Sequence, residues 1–140
     1  MSRFLAVALG VAALVALPAS TSSAASHVKA FDNCGLGGAH FKPHGFVFAC
    51  ADHGLYIKHV RWSAWGSRSA RGRGTGYAND CNPDCADGHF HHAAMTITLS
   101  RPGTCPGHAG VRVFRRVRYR WVHGDPAGPG PRSGSMSACP

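Results

Sequence analysis

The fourteen residues Asn79–His92, NDCNPDCADGHFHH, gather most of the side chains in this chain that could do chemistry. Two cysteines four apart, three aspartates and three histidines are the donor types of a zinc or copper site. Cys81 and Cys85 together with His89, His91 and His92 could supply four ligands. The spacing argues against it. Structural zinc sites use two cysteine couples, or a cysteine couple and a histidine couple separated by about 12–15 residues, and neither pattern is present. With the thiols bonded to each other, only a histidine site remains, with His89 and His91 at alternate positions. Solvent-facing histidines at the entrance of a strand explain them without a metal. No metal or other cofactor is therefore expected.

A second candidate is the run Val111–Trp121, VRVFRRVRYRW. Read as a strand, it puts Val111, Val113, Val117, Tyr119 and Trp121 on one face, interrupted by Arg115. Arg112, Arg116, Arg118 and Arg120 then share the other face with Phe114. Alternate residues on a strand repeat at ~6.6–7 Å, a spacing that can meet successive negative groups. Teichoic-type phosphate, extracellular nucleic acid or an acidic cell-envelope surface would be attracted. The same four arginines would also serve as a solvated face that keeps a sheet edge from pairing.

Hydrolytic chemistry finds little to work with. The chain has no glutamate, and its six acids are aspartates scattered among turns. Asp52-His53 and Asp87-Gly88-His89 place acid near imidazole, but no G-x-S-x-G element supplies a serine. A histidine-based, metal-dependent enzyme is thus the last of three readings, behind a cationic binding module and a secreted inhibitor or interaction protein. The inhibitor or interaction protein would present the loop Ser67–Gly76, with Arg68, Arg71 and Arg73, from the segment Gly66–Gly76, GSRSARGRGTG. That segment lacks the phosphate-cradling glycine patterns. The partner protein in that reading is unknown.

The elements that must position these residues follow from the rest of the chain. Residues 1–25 have the form of a secretory signal peptide: Arg3, then the apolar run Phe4–Leu17, then Pro18 and small residues, with cleavage after Ala24 or Ala25. The run is 14 residues, short of the ~20 that span a bilayer, so no transmembrane anchor is expected. Cleavage would leave one exported domain. Of the 15 basic residues only Arg3 would go, leaving 14 against 6 acids, a net +8. Cys34, Cys50, Cys81, Cys85, Cys105 and Cys139 all fall after the signal. An even number in a small exported chain reads as three disulfides. Fifteen pairings are possible, and the expectation adopted is Cys81–Cys85, Cys34–Cys50 and Cys105–Cys139.

Short strands are expected at Phe46–Ala51, Leu55–Trp62, Met95–Leu99 and Val111–Trp121, separated by turn residues. Trp62 and Trp65 are read as packing residues. No helical periodicity follows the signal. The expectation is an all-β fold, a small disulfide-stapled antiparallel β-sandwich or barrel over residues 26–123, followed by a flexible Pro/Gly/Ser-rich tail over 124–140.

Several blocks resemble those of a family of small secreted actinobacterial proteins without an assigned function. They are FACADHG (48–54), WSAWG (62–66), NDCNPDCADGHF (79–90), MTITLSRP (95–102) and the arginine-bearing run 111–121. His53 stands where the family pattern has alanine or glycine, and Cys34 and Cys139 lie outside the shared block. The resemblance implies a secreted β-rich domain and no particular activity.

Overall fold

The computed structural model describes residues 27–128 and 130–140. The export signal expected at 1–25 lies outside the described residues. Six strands form one antiparallel sheet in which every strand pairs with its neighbours in sequence. They are β1 (Phe46–Val47), β2 (Leu55–Trp65), β3 (Ser69–Asn79), β4 (Phe90–Gly103), β5 (Val113–Trp121) and β6 (Ser133–Ser137). The sheet curls into a half-barrel, so the expected all-β, disulfide-stapled class is the one found. The three disulfides are Cys34–Cys50, Cys81–Cys85 and Cys105–Cys139, the expected pairing.

The inner face is the core. Met95, Ile97 and Leu99 of β4 alternate inward and are fully buried, as are Val117 and Trp121 of β5. The segment 28–48 crosses the mouth of the curl. It is tied by Lys29 N–H to the Arg112 carbonyl (3.0 Å) and by Phe114 N–H to the Lys29 carbonyl (3.0 Å). Trp62 Nε1 donates to the Pro43 carbonyl (2.8 Å) and Trp65 Nε1 to the Val28 carbonyl (2.9 Å). The two indoles therefore fasten the covering segment while their rings pack on the core edge, as packing residues should.

Three elements differ from their expected form. The segment expected as the loop Gly66–Gly76 is largely β3, a central strand. Its inward residues are Ala70, Gly72, Gly74, Gly76 and Ala78, and their smallness lets the curled sheet close on its aromatic core. A Cβ on Gly76 would come within 2.5 Å of Met95 Cε and 2.6 Å of a Trp121 ring carbon. The strand expected at Phe46–Ala51 stops at Val47. Cys50 is drawn to Cys34, and His53 N–H closes a turn onto the Ala49 carbonyl (3.0 Å). Within the expected tail, Ser133–Ser137 pairs with β5 as β6, anchored by buried Ala138 and by the bond from Cys139 to Cys105.

Phe114 also departs from its expected place among the arginines. It is fully buried in the main core, while Val113 fills a second small cluster with Phe31 and Cys105. The alternation of β5 breaks between Phe114 and Val117. Opposite that break lies Arg101, a non-glycine residue with φ of 57°.

Candidate functional site: the outer face of the sheet

The block Asn79–His92 spans the last residue of β3, the connection 80–89 and the start of β4, and its polar side chains hold its own backbone. Asp80 Oδ1 accepts from the N–H of His89 (2.9 Å) and of Asn82 (3.1 Å), and Asp80 Oδ2 meets His91 Nε2 at 2.8 Å. The first of these bonds, then the His91 side chain, bring the Asp80 carboxyl down to about 2. Asn79 accepts from Cys81 N–H (3.0 Å) and donates to the Cys85 carbonyl (2.9 Å). Asp84 Oδ1 accepts from the N–H of Ala86 and of Asp87. The cysteines are bonded to each other. The sequence-level metal candidates therefore part company: His91 engages Asp80, and His89 is an exposed residue just before β4. Among the described residues no three His, Cys or Asp side chains converge as a metal would need.

The arginines are arranged otherwise. Strand register sets out the face. Arg71 pairs with Thr98, Thr98 with Arg118, and Arg118 with Ser135, so one row crosses β3, β4, β5 and β6. The row on one side is Ser69, Ser100, Arg116 and Ser137. On the other side it is Arg73, Thr96, Arg120 and Ser133. The outcome is two arginine columns, on β3 and β5, separated by the hydroxyl column of β4 and flanked by that of β6. Neighbouring strands lie ~4.8 Å apart, so the two arginine columns stand ~10 Å apart.

Arg71, Thr98, Ser100, Arg101, Arg116, Arg118 and Ser135 line an open groove of about 540 Å³ on this face, and no carboxylate joins them. Both ion pairs among the described residues are aspartate–histidine pairs, and neither involves an arginine. The one arginine side-chain hydrogen bond there is from Arg115 Nε to the Arg101 carbonyl. Among the described residues the guanidinium donors of the grid thus have no protein partner. Each adjacent like-charged pair at ~7 Å repels by about 0.6 kcal/mol in water before screening. A bound anion would reverse that term.

Of the four arginines expected to act together, the fold brings together Arg116, Arg118 and Arg120. Arg112 precedes β5 and lies outside the groove, its carbonyl taken by Lys29. Arg71 and Arg73, placed in a loop by the sequence reading, stand on the central strand β3, and Arg101 joins them from β4. The signal that marks them is alternation of smallness: Ala70-x-Gly72-x-Gly74-x-Gly76-x-Ala78 is a period of two.

Catalytic geometry is poorer. Two aspartate–imidazole pairs exist, His40 with Asp32 at 2.6 Å and His91 with Asp80 at 2.8 Å. Among the described residues neither histidine is hydrogen-bonded to a serine or threonine hydroxyl that it could activate. Tyr119 is buried, and burial followed by the Asp125 carboxylate raises its hydroxyl above its ordinary value, away from acid–base work near neutrality.

No family model, no curated protein and no solved structure matches this chain.

Proposed function

We propose that the protein is an exported binding module that holds anionic polymers, those of a cell envelope or its surroundings, against the outer face of its half-barrel. The observation that carries this is the groove of Arg71, Arg101, Arg116 and Arg118 interleaved with Thr98, Ser100 and Ser135, with no carboxylate among them. Guanidinium beside hydroxyl is the donor set that meets phosphate and sulfate oxygens in charge-assisted hydrogen bonds. A net charge of +8 once the signal and its Arg3 are removed, 14 basic residues against 6 acids, adds long-range attraction.

Export is supported by the signal-like residues 1–25 and by three disulfides, which persist in oxidising compartments. The blocks shared with small secreted actinobacterial proteins support the same placement. Among the described residues no helix is long and apolar enough to cross a membrane. The interaction-protein reading loses its loop, because Arg71 and Arg73 belong to β3 and only Arg68 remains in the connection between β2 and β3.

The test is binding to inorganic polyphosphate by the disulfide-bonded protein and by two triple variants. R71Q/R116Q/R118Q removes three charges from the grid. K29Q/K42Q/R112Q removes three exposed charges away from it. Weakening by the first and not the second supports a built face. Equal weakening by both would show only bulk attraction.

A further inference from the structure

The arginine grid does not end in a neutral margin. Two rows beyond Arg73, Thr96 and Arg120, the same face carries Tyr56, Tyr77 and His92, paired in one row across β2, β3 and β4. Phe90 stands one row further, opposite Asn79. These residues share parity with Arg71, Arg73, Thr96 and Thr98, and the register of β3 with β4 is unbroken from Ser69–Ser100 to Asn79–Phe90. Tyr56 and Tyr77 stack at 4.9 Å with 16° between their planes. Phe90 leans on Tyr56 at 5.5 Å, and His92 on Tyr77 at 5.7 Å. Lys58 Nζ lies 5.1 Å from the Tyr56 ring and 5.6 Å from the Tyr77 ring, between the aromatic row and the grid. Phe90 is 46% exposed.

From these observations we infer that the anionic polymer is single-stranded nucleic acid, with its phosphates on the arginine and hydroxyl columns and bases stacked on Phe90 and His92. The inference rests on the arginine-face reading above and narrows it. Among phosphate polymers only nucleic acid carries flat π-faced units, so a polyol phosphate has no use for the aromatic row. A duplex hides its bases in its own stack, whereas an unpaired strand offers them to aromatic side chains. Alternate strand positions repeat at ~6.6–7 Å, close to the phosphate spacing of an extended strand. The Tyr56–Tyr77 pair packs beside the rings of Phe90 and His92, and Lys58 stands between the two halves of the face. Recognition of this kind tolerates any base sequence and falls steeply with salt.

The experiment compares three ligands, oligothymidylate, inorganic polyphosphate and a sulfated glycan, binding to the disulfide-bonded protein and to Phe90→Ala, His92→Ala and R71Q/R116Q/R118Q. Both aromatic positions are exposed, so each variant leaves the core untouched. The expected result is a loss of about 5-fold or more in oligothymidylate affinity for Phe90→Ala. His92→Ala should show a smaller loss, both should leave polyphosphate affinity unchanged, and Phe90→Trp should retain oligothymidylate binding. Unchanged oligothymidylate affinity in both alanine variants overturns the nucleic-acid assignment and leaves the arginine face standing. A loss confined to the glycan overturns it in favour of stacking on sugar rings. If the arginine variant binds all three ligands as the parent does, the underlying reading of the face falls as well.

Discussion

The connection between β3 and β4 and the outer face between β3 and β6 are both rich in polar groups, and they use them in opposite ways. At Asn79–His92 two of the three carboxylates, those of Asp80 and Asp84, hold the block's own backbone. Asp80 takes two backbone N–H groups and His91, and Asp84 takes two more N–H groups. On the outer face the guanidinium groups of Arg71, Arg73, Arg116, Arg118 and Arg120 have no hydrogen-bond or ion-pair partner among the described residues. Polar residues that satisfy one another build structure. Polar residues held in a regular array and left unsatisfied are ready for something that arrives from outside. Residue type alone does not separate the two cases; the register does.

The largest effect expected on this contrast comes from the frame beneath the grid. Gly76→Val would push against Met95 and Trp121, destabilising the fold by about 3 kcal/mol, the upper part of the range for overpacking a core. A denaturant titration reads it directly. A variant as stable as the parent would mean that the small-residue stripe of β3 is not what allows the sheet to curl. Next comes the staple of the block. Replacing Cys81 and Cys85 by alanine opens a loop with a sequence separation of 4 and should cost about 2 kcal/mol on the chain-entropy account. Polyphosphate binding should be kept, because the arginine grid that holds phosphate lies rows away. Loss of polyphosphate binding in that variant would make the arginine grid depend on the disulfide loop.

A finer distinction is available through pH. Asp80 sits at about 2 in the folded protein against an ordinary 3.8. Folding therefore favours its charged form. The associated stability is complete above 3.8 and is lost as pH falls through about 2. Asp80→Asn should lower the denaturation midpoint near pH 5, and the gap to the parent should close between pH 3.8 and 2. No such closing is expected for the arginine variants, which leave the Asp80 carboxylate and its partners in place. A gap for Asp80→Asn that stayed constant with pH would remove the carboxylate from its structural role. The smallest effect belongs to the hydroxyl column. Thr98→Val should change stability by less than about 0.5 kcal/mol and weaken polyphosphate binding by about threefold, the worth of one modest hydrogen bond.

How much of this was legible in the chain depends on what each residue had to face. The strands carrying Met95, Ile97, Leu99, Val117 and Trp121 were readable because their inward residues are large and apolar. β3 was not, because its inward residues are glycine and alanine, and apolar periodicity does not register them. Its Arg-x-Arg alternation was visible yet looked like a connector. β6 has the composition of a tail, and it becomes a strand through its tether: Cys139 bonds Cys105 and Ala138 is buried. The arginine face was half legible. Arg116, Arg118 and Arg120 stand where alternation puts them, but Arg112 falls before the strand, and the second column needed a register that no local pattern contains. The Cys81–Cys85 bond was legible in the even cysteine count of an exported chain, whereas the caps that Asp80 and Asp84 make for the loop depend on backbone geometry that no local pattern contains.

The arginine face is tested most directly by the salt dependence of binding. Affinity for a single-stranded oligonucleotide is measured from low to moderate salt for the parent and for R71Q/R116Q/R118Q. Each phosphate contact contributes about 0.7 to the slope of log affinity against log salt for a single strand, so losing three contacts should flatten that slope by about 2. The K29Q/K42Q/R112Q variant, with the same net charge, should keep the parent's slope. Superimposable slopes for the parent and the grid variant would contradict the account.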